Sequence, residues 1–329
     1  MRDLRRVNLL VGRNNVGKTS VLEALLLSRA PTQPWLALQT HRMRGLDGFH
    51  ATPEGLWSWL FHQMNTQRHI ELRTHDEQGK ESQLHISLGG PPSQAIDVTS
   101  TTLSTADHLN ALMFSYRGPD SQEELKTYFT LRPGADPVQV VERDVPLSVT
   151  RFLSTRKRDS QEYARFFSIL RRQKSDALLL NLLQEVDTRV RGLEVLTVGE
   201  HALLHADLDT GELLPLQLMG EGANHLVGFA SAVLMSPKGT VLIDEVDNGL
   251  HYSALETMWR GLRDSTRQAN VQLFATSHSY GCIQAAARVF SNHLDDFSLL
   301  RLQRRPDGTL GVVPYVGEAF RVYAGLNKK

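Results

Sequence analysis

Cysteine is almost absent from this chain. Cys282 stands alone in 329 residues, so no internal disulfide can form and no cysteine-based zinc site can be assembled. No run of about 18 apolar residues occurs, which excludes a membrane-spanning helix. The apolar stretch near the start, Val7–Val11, has strand length and is too short for the core of a signal peptide. An excess of one charge is missing too. Lys+Arg and Asp+Glu both number 36, so no global field draws the chain to nucleic acid or to a membrane surface. Internal repeats, sustained heptads and low-complexity segments are also lacking, which rules out a long coiled coil in the middle. A cytoplasmic protein is the simple expectation. The rest is an ordinary globular composition, 41% hydrophobic, enough for one large domain or two intimate ones.

Against that plain background two blocks stand out, one near each end. Gly12 to Thr19 reads GRNNVGKT and fits G-x-x-x-x-G-K-[ST]. A buried strand over 6–11 precedes it and a one-sided helix from Gly17 to about Arg29 follows, which is the setting a phosphate loop requires. Glycines at Gly12 and Gly17 let the backbone N–H groups turn inward, while the helix N-terminus adds positive potential. The candidate nucleotide-binding residues are Gly12, Asn14, Asn15, Val16, Gly17, Lys18, Thr19 and Ser20. In that pattern Lys18 reaches the β- and γ-phosphates and the Thr19 hydroxyl binds Mg²⁺.

The second block is VLIDEVDNGLH, Val241 to His251. Three apolar residues run into Asp244 and Glu245. Two adjacent acids at the end of a buried strand are costly unless they hold a cation or do chemistry. Asp244 suits Mg²⁺, and Glu245 suits a general base that activates water. The bland alternative is a strand ending in a solvated acidic turn. His278 ends another buried strand in T-S-H-S; it is either a satisfied structural histidine or a sensor of a terminal phosphate.

Between the blocks the character changes. Strands are expected over 69–74, 83–88, 111–116 and 137–142, with an exposed loop at 91–107. A long helical signal covers 160–191, and short strands follow at 193–198, 201–207 and 212–218, with a turn at Asp209-Thr210-Gly211. Helices are expected from Asn224 to Met235 and from Tyr252 to Arg267. Asp207 and Asp209 superficially resemble a nuclease metal pair but read as hairpin chemistry. Trp57 and Trp59 read as core of the inserted lobe and Cys282 as a small buried hydrophobe. The basic stretch from Arg151 to Lys174 reads as a solvated helix face. Its alternative is a DNA-phosphate surface centred on Arg156, Lys157 and Arg158.

With these motifs in place the chain resembles the ABC-type ATPases of the SMC/RecF/OLD group, over about residues 5–30 and 215–290. The resemblance implies an α/β fold: an ABC-type P-loop ATPase head whose mixed-sheet core carries an inserted antiparallel β-rich lobe and a helical subdomain. The core would be 1–30 and 215–329, and the insertion 31–214. It makes Gly12–Thr19 the Walker A loop, Asp244 and Glu245 the Walker B acid and catalytic glutamate, and His278 the switch histidine. Asp247 and Asn248 fall in the D-loop. Met219-Gly220-Glu221-Gly222 falls at the signature position, where Gly220, Glu221 and Gly222 would contact the γ-phosphate held by a second subunit. Here the usual serine is missing and Glu221 adds an acid.

The implied cofactor is Mg²⁺ with ATP as substrate, and the implied state is a homodimer closed around ATP. No C-x-x-C exists, which excludes the zinc-hook branch. The stretch after His278 is short for an appended TOPRIM nuclease, so a separately encoded effector of that kind is the expected partner, in phage defence or DNA processing. The family usually places a strand before the phosphate-loop strand. Since this chain starts at Met1-Arg2-Asp3-Leu4, either the start is misassigned or the adenine contacts come from elsewhere. The rival readings are a RecF-like DNA-binding repair ATPase, an AAA+ ring motor and an ATP-binding scaffold that does not hydrolyse.

Overall fold

The computed structural model describes residues 1–44, 53–89, 111–130, 138–141, 149–154 and 160–325. The chain divides into two compact units, Met1–Leu22 with Val149–Lys329, and Glu23–Ser148.

The first unit is organised by strand β1 (Val7–Val11), whose five residues are all buried. A strand with no polar face is the mark of a parallel sheet covered on both sides. Its neighbours come from the far end of the chain. β12 (Gln272–Ser277) lies parallel on one side and β13 (Phe297–Arg304) parallel on the other. β11 (Thr240–Asp244) continues the sheet beyond β12, and β7 (Thr150–Ser154) pairs parallel with β11 at the edge. β14 (Leu310–Val316) closes the other edge antiparallel to β13, through a turn with Gly308 at φ 82°. The order β14-β13-β1-β12-β11-β7 makes the mixed sheet that the motifs imply. One buried polar side chain pins β1: the Asn8 amide donates to the carbonyls of Leu273 at 3.1 Å and Arg5 at 2.7 Å, and its oxygen accepts from Arg5 N–H. Each of these bonds satisfies a group that would otherwise be buried unpaired.

Apolar runs on these strands and on their flanking helices form one continuous core. It includes a ring cluster in which Trp259 meets Phe290 and Phe297 edge-on and Phe297 stacks on Phe320. Cys282 is fully buried here, and desolvation pushes its thiol well above the ordinary value. The Trp259 indole N–H donates to the Cys282 carbonyl.

The expected insertion 31–214 gives up its part from Val149 onwards, which belongs to the first unit. β7 sits in the main sheet, and residues 160–216 build a second core with the helix over 221–234. The single long helical signal at 160–191 is two helices, α4 (Ser160–Arg172) and α5 (Ala177–Val186), numbering α1 (Lys18–Arg29), α2 (Leu36–Met43) and α3 (Pro53–Ser58) before them. The break falls at Lys174, which adopts φ 55°, while Ser175 N–H caps the Leu170 carbonyl. β8 (Gly192–Val198) and β9 (His201–Asp207) form a hairpin. The strand expected over 212–218 stops at β10 (Leu213–Pro215) and turns into a 3₁₀ segment, since Pro215 cannot donate to a continued ladder.

The Glu23–Ser148 unit holds an antiparallel sheet in the order β2 (Ile70–His75), β3 (Glu81–Leu88), β4 (Leu112–Arg117), β5 (Glu124–Thr130), β6 (Val138–Val141). β5 has no counterpart among the expected strands, because its polar half, Glu124 to Thr127, masks the alternation. Trp57 is fully buried and edges against Phe129, whereas Trp59 is 42% exposed, so only the first belongs to the core. The expected loop at 91–107 lies outside the described residues.

Two helix crossings in the first unit depend on glycine. α6 (Glu221–Leu234) passes α4 at Gly228, where a Cβ would sit 2.5 Å from the Tyr163 ring. α7 (Leu255–Ala269) passes α5 at Gly261, where a Cβ would sit 2.7 Å from Leu182. Gly228→Ala should therefore destabilise: overpacking costs about 1–3 kcal/mol, more than the roughly 1 kcal/mol that alanine gains over glycine inside a helix. Gly281→Ala, whose nearest neighbour would be 3.5 Å away, is expected to be neutral or stabilising. Urea denaturation of both variants checks the contrast, and equal midpoints would contradict the close crossing.

Candidate nucleotide site

β1 delivers the chain to the carboxyl edge of the sheet at Val11, and the glycine-rich loop begins there. Gly12 adopts φ 152°, and a Cβ on it would lie 2.7 Å from the Leu302 carbonyl oxygen of β13. Only glycine fits that approach. Asn15 at φ 60° and Gly17 at φ 98° complete the turn, with Arg13, Asn14 and Asn15 exposed and Val16 half-buried. α1 starts at Lys18, and Val21 N–H bonds the Gly17 carbonyl. The Lys18 ammonium folds back over the loop and donates to the carbonyls of Gly12 at 3.0 Å and Arg13 at 3.2 Å. Burial lowers its pKa, while Asp244, Glu245 and Asp247 pull the other way. The lysine ammonium is thus held on the loop carbonyls within the field of three carboxylates. Ser20 lies exposed in the first helical turn.

Thr19 and Asp244, remote in sequence, meet here. The Thr19 hydroxyl donates to Asp244 Oδ2 at 2.9 Å. The other carboxylate oxygen accepts from the Thr276 hydroxyl at 2.5 Å, and that same hydroxyl accepts the Glu245 backbone N–H at 2.8 Å. The register explains why: β11 and β12 pair Ile243 with Ala275, so the next pair is Asp244 and Thr276. Glu245 itself takes φ 53°, a left-handed conformation that L-residues adopt at a cost. Thr276 is fully buried and was not among the expected site residues. The signal available was the polar pair Thr276-Ser277 closing the apolar run LFA.

Beyond Glu245 the chain makes a tight turn. Asn248 N–H bonds the Glu245 carbonyl, and Gly249 stands at φ 73°. Asp247 keeps one carboxylate oxygen buried without a hydrogen-bond partner among the described residues, whereas Asn248 is exposed. The expected signature segment lies against this turn. Gly220, at φ 92°, is the N-cap of α6, which starts three residues earlier than expected, so Glu221 and Gly222 occupy its first turn. A Cβ on Gly249 would come within 2.4 Å of Glu221 Oε2, and one on Gly222 within 3.6 Å of Leu250. The Asn224 amide ties the helix start to the carbonyls of Leu216 and Gly220.

His278 follows β12 and is exposed. It lines a cleft of about 830 Å³ together with Gly12–Val16, the start of α8 (Tyr280–Val289) and the end of β13. The structure thus brings together the loop, Lys18, Thr19, Asp244 and Glu245, with His278 on the same edge.

The remaining candidates resolve differently. Asp207 caps its own turn by accepting Asp209 N–H, and among the described residues no group of three acids, histidines or cysteines could hold a metal alone. Arg151 and Arg165 lie near Glu162 and over the Phe166 ring, and Arg171 bonds Asp176, so this part of the basic stretch is internally engaged. Arg156, Lys157 and Arg158 lie outside the described residues. No described helix is long and apolar enough to cross a membrane.

Comparison with known proteins gives several partial similarities. Residues 142–283 match the family described as "AAA domain, putative AbiEii toxin, Type IV TA system". A protein of Helicobacter pylori named "ATP/GTP phosphatase" is 28% identical over 110 residues, which cover 32% of this chain and 29% of that protein. Among solved structures, the Smc head domain from Pyrococcus furiosus aligns over 100% of this chain and 94% of its own, at 10% identity and a TM-score of 0.45. The SMC head domain from Thermotoga maritima aligns over 95% and 90%, at 15% identity and a TM-score of 0.36.

Because the Thr276 hydroxyl bonds both Asp244 and the Glu245 N–H, Thr276→Val should cost roughly 1–3 kcal/mol by leaving a half-buried carboxylate oxygen and an N–H unsatisfied. Thr276→Ser should retain most of that stability. Thermal denaturation of the pair is the check; a larger loss for Thr276→Ser than for Thr276→Val would mean that the methyl group, not the hydroxyl, holds the site.

Proposed function

We propose that this chain, an ABC-type ATPase of the SMC/RecF group, binds ATP on the 12–20 loop and hydrolyses it with Glu245 as general base, opening and closing a homodimer. The observation that carries the reading is the Thr19–Asp244–Thr276–Glu245 array. It gives the two neighbouring acids different duties. Asp244 is tied to Thr19 and Thr276, while the Glu245 backbone is fixed and its carboxylate is left for a second partner.

Thr19 Oγ1 and Asp244 Oδ2 fit Mg²⁺, which favours hard oxygen ligands and takes few from protein when phosphates and waters supply the rest. A pair of oxygens, in place of a full protein cage, is what such a site needs. When bound, the ion would neutralise charge on the β- and γ-phosphates. The protein groups do the rest. The loop N–H groups and Lys18 hold the triphosphate, Glu245 takes a proton from water as its oxygen bonds to the γ-phosphorus, and the bond to the β-bridging oxygen breaks. His278 senses the γ-phosphate from the end of β12. Gly220, Glu221 and Gly222, at the positive end of α6, reach the γ-phosphate of the second copy, and Asp247 and Asn248 cross the same interface.

The output acts on a separately encoded effector, such as a TOPRIM-type nuclease, in phage defence or DNA processing.

Lys18→Ala is expected to abolish ATP binding in calorimetry, since it removes the cation that faces the phosphates; unchanged affinity would sink the loop assignment. Glu245→Gln should lower turnover about 10²-fold or more while sparing binding, and should accumulate an ATP-bound dimer by light scattering. A wild-type chain and a variant that both stay monomeric with ATP would defeat the sandwich.

A further inference from the structure

We propose that the end of β13, together with Tyr280 and Tyr323, forms the wall that holds the base and ribose of the bound nucleotide. This deepens the phosphate-loop reading and rests on it. The sheet order sets the direction. Asp244 and Glu245 end β11 and His278 follows β12, both on one side of β1, whereas β13 lies on the other. A triphosphate whose γ end faces the acids on the β11 side has room to lay its nucleoside end on the β13 side, in the cleft whose lining runs from His278 to Arg301, Gln303 and Arg304. The register of β1 with β13 pairs Val11 with Arg301, so the glycine-rich loop opens directly beside Arg301 to Arg304.

The cleft found there has the volume and chemistry of a nucleoside pocket. Its volume, about 830 Å³, falls in the range of small-molecule sites. Its outer wall carries Tyr280, Ile283, Arg301, Gln303, Arg304 and Tyr323. Both tyrosine rings are fixed. The Tyr280 hydroxyl donates to the Ala324 carbonyl at 3.3 Å while the residue stays 53% exposed, and the Tyr323 ring packs on Tyr315 with centroids 4.4 Å apart. Fixed, half-open aromatic faces suit base stacking, because little side-chain freedom is lost on binding. Arg301 and Arg304 are exposed and form no ion pair among the described residues; Arg304 reaches only the Gly308 carbonyl, at 3.4 Å. Their planar cations can stack on a base or meet the α-phosphate. The Gln303 amide supplies a donor and an acceptor for ring nitrogens or ribose hydroxyls.

The test compares ATP with inorganic tripolyphosphate, which has the phosphates and no nucleoside, both with Mg²⁺ by calorimetry. Wild-type protein should bind ATP at least about tenfold more tightly than tripolyphosphate, the scale expected from stacking one base. Arg304→Ala and Tyr280→Ala should each weaken ATP about tenfold and leave tripolyphosphate within about twofold. Equal wild-type affinities for the two ligands, or variants that bind ATP normally, would overturn the wall. A variant that loses both ligands alike would assign its residue to the phosphate site and overturn its place in the wall. Wild-type protein that binds neither ligand would instead overturn the phosphate loop itself, and the wall with it.

Discussion

Two carboxylates in succession at the end of a buried strand repel each other and must be steered apart, and one hydroxyl accomplishes this. Thr276 donates to Asp244 and accepts from the Glu245 N–H, so both its hydrogen-bonding capacities are used on adjacent residues of the neighbouring strand. Asp244 is thereby turned to Thr19, and Glu245 is held in a left-handed turn that reverses the chain. The parallel register of β11 with β12 makes that contact possible, and the register of β1 with β12 brings the glycine-rich loop to the same edge. Had either pairing slipped by one residue, every side chain on the slipped strand would have changed face.

The other half of the site is shaped by close backbone approach. Gly12 lies against the Leu302 carbonyl, and Gly249 lies against the Glu221 carboxylate. The first contact fixes where the loop leaves the sheet. The second joins the turn after the acids to the first turn of α6 within one chain, so two segments assigned to the dimer interface share a single packed contact. In the sandwich reading a movement at one of them is felt at the other without any intermediary.

Much of this was legible in the sequence because it is local. VNLLV, TVLID and LFATS are short apolar runs ending at glycine or polar residues, and such runs can hardly be anything but interior parallel strands. The loop pattern has fixed spacing and needs no tertiary information. What was not legible depended on pairing. The membership of 149–154 in the main sheet is decided by β11, not by the residues of β7 themselves. The break at Lys174 is a single φ angle inside a continuous apolar periodicity. Thr276 looked like a strand residue until its partner strand was in register. Trp59 shares its local sequence with Trp57 yet is exposed, because Trp57 lies in α3 and Trp59 in the turn that follows it.

The placement of β1 has a consequence for synthesis on the ribosome. Its five residues emerge long before their partners, Leu273–Ser277 and Phe297–Arg301. Until those have been translated, a mostly apolar strand and its glycine loop have nothing to pair with, while the antiparallel sheet of residues 70–141 already has all its neighbours. The inserted unit can therefore form during translation, and the nucleotide edge only afterwards, by closing a loop of most of the chain's length. In the interval the nascent chain carries an unpaired strand edge, the kind of surface that chaperones shield and that aggregation exploits.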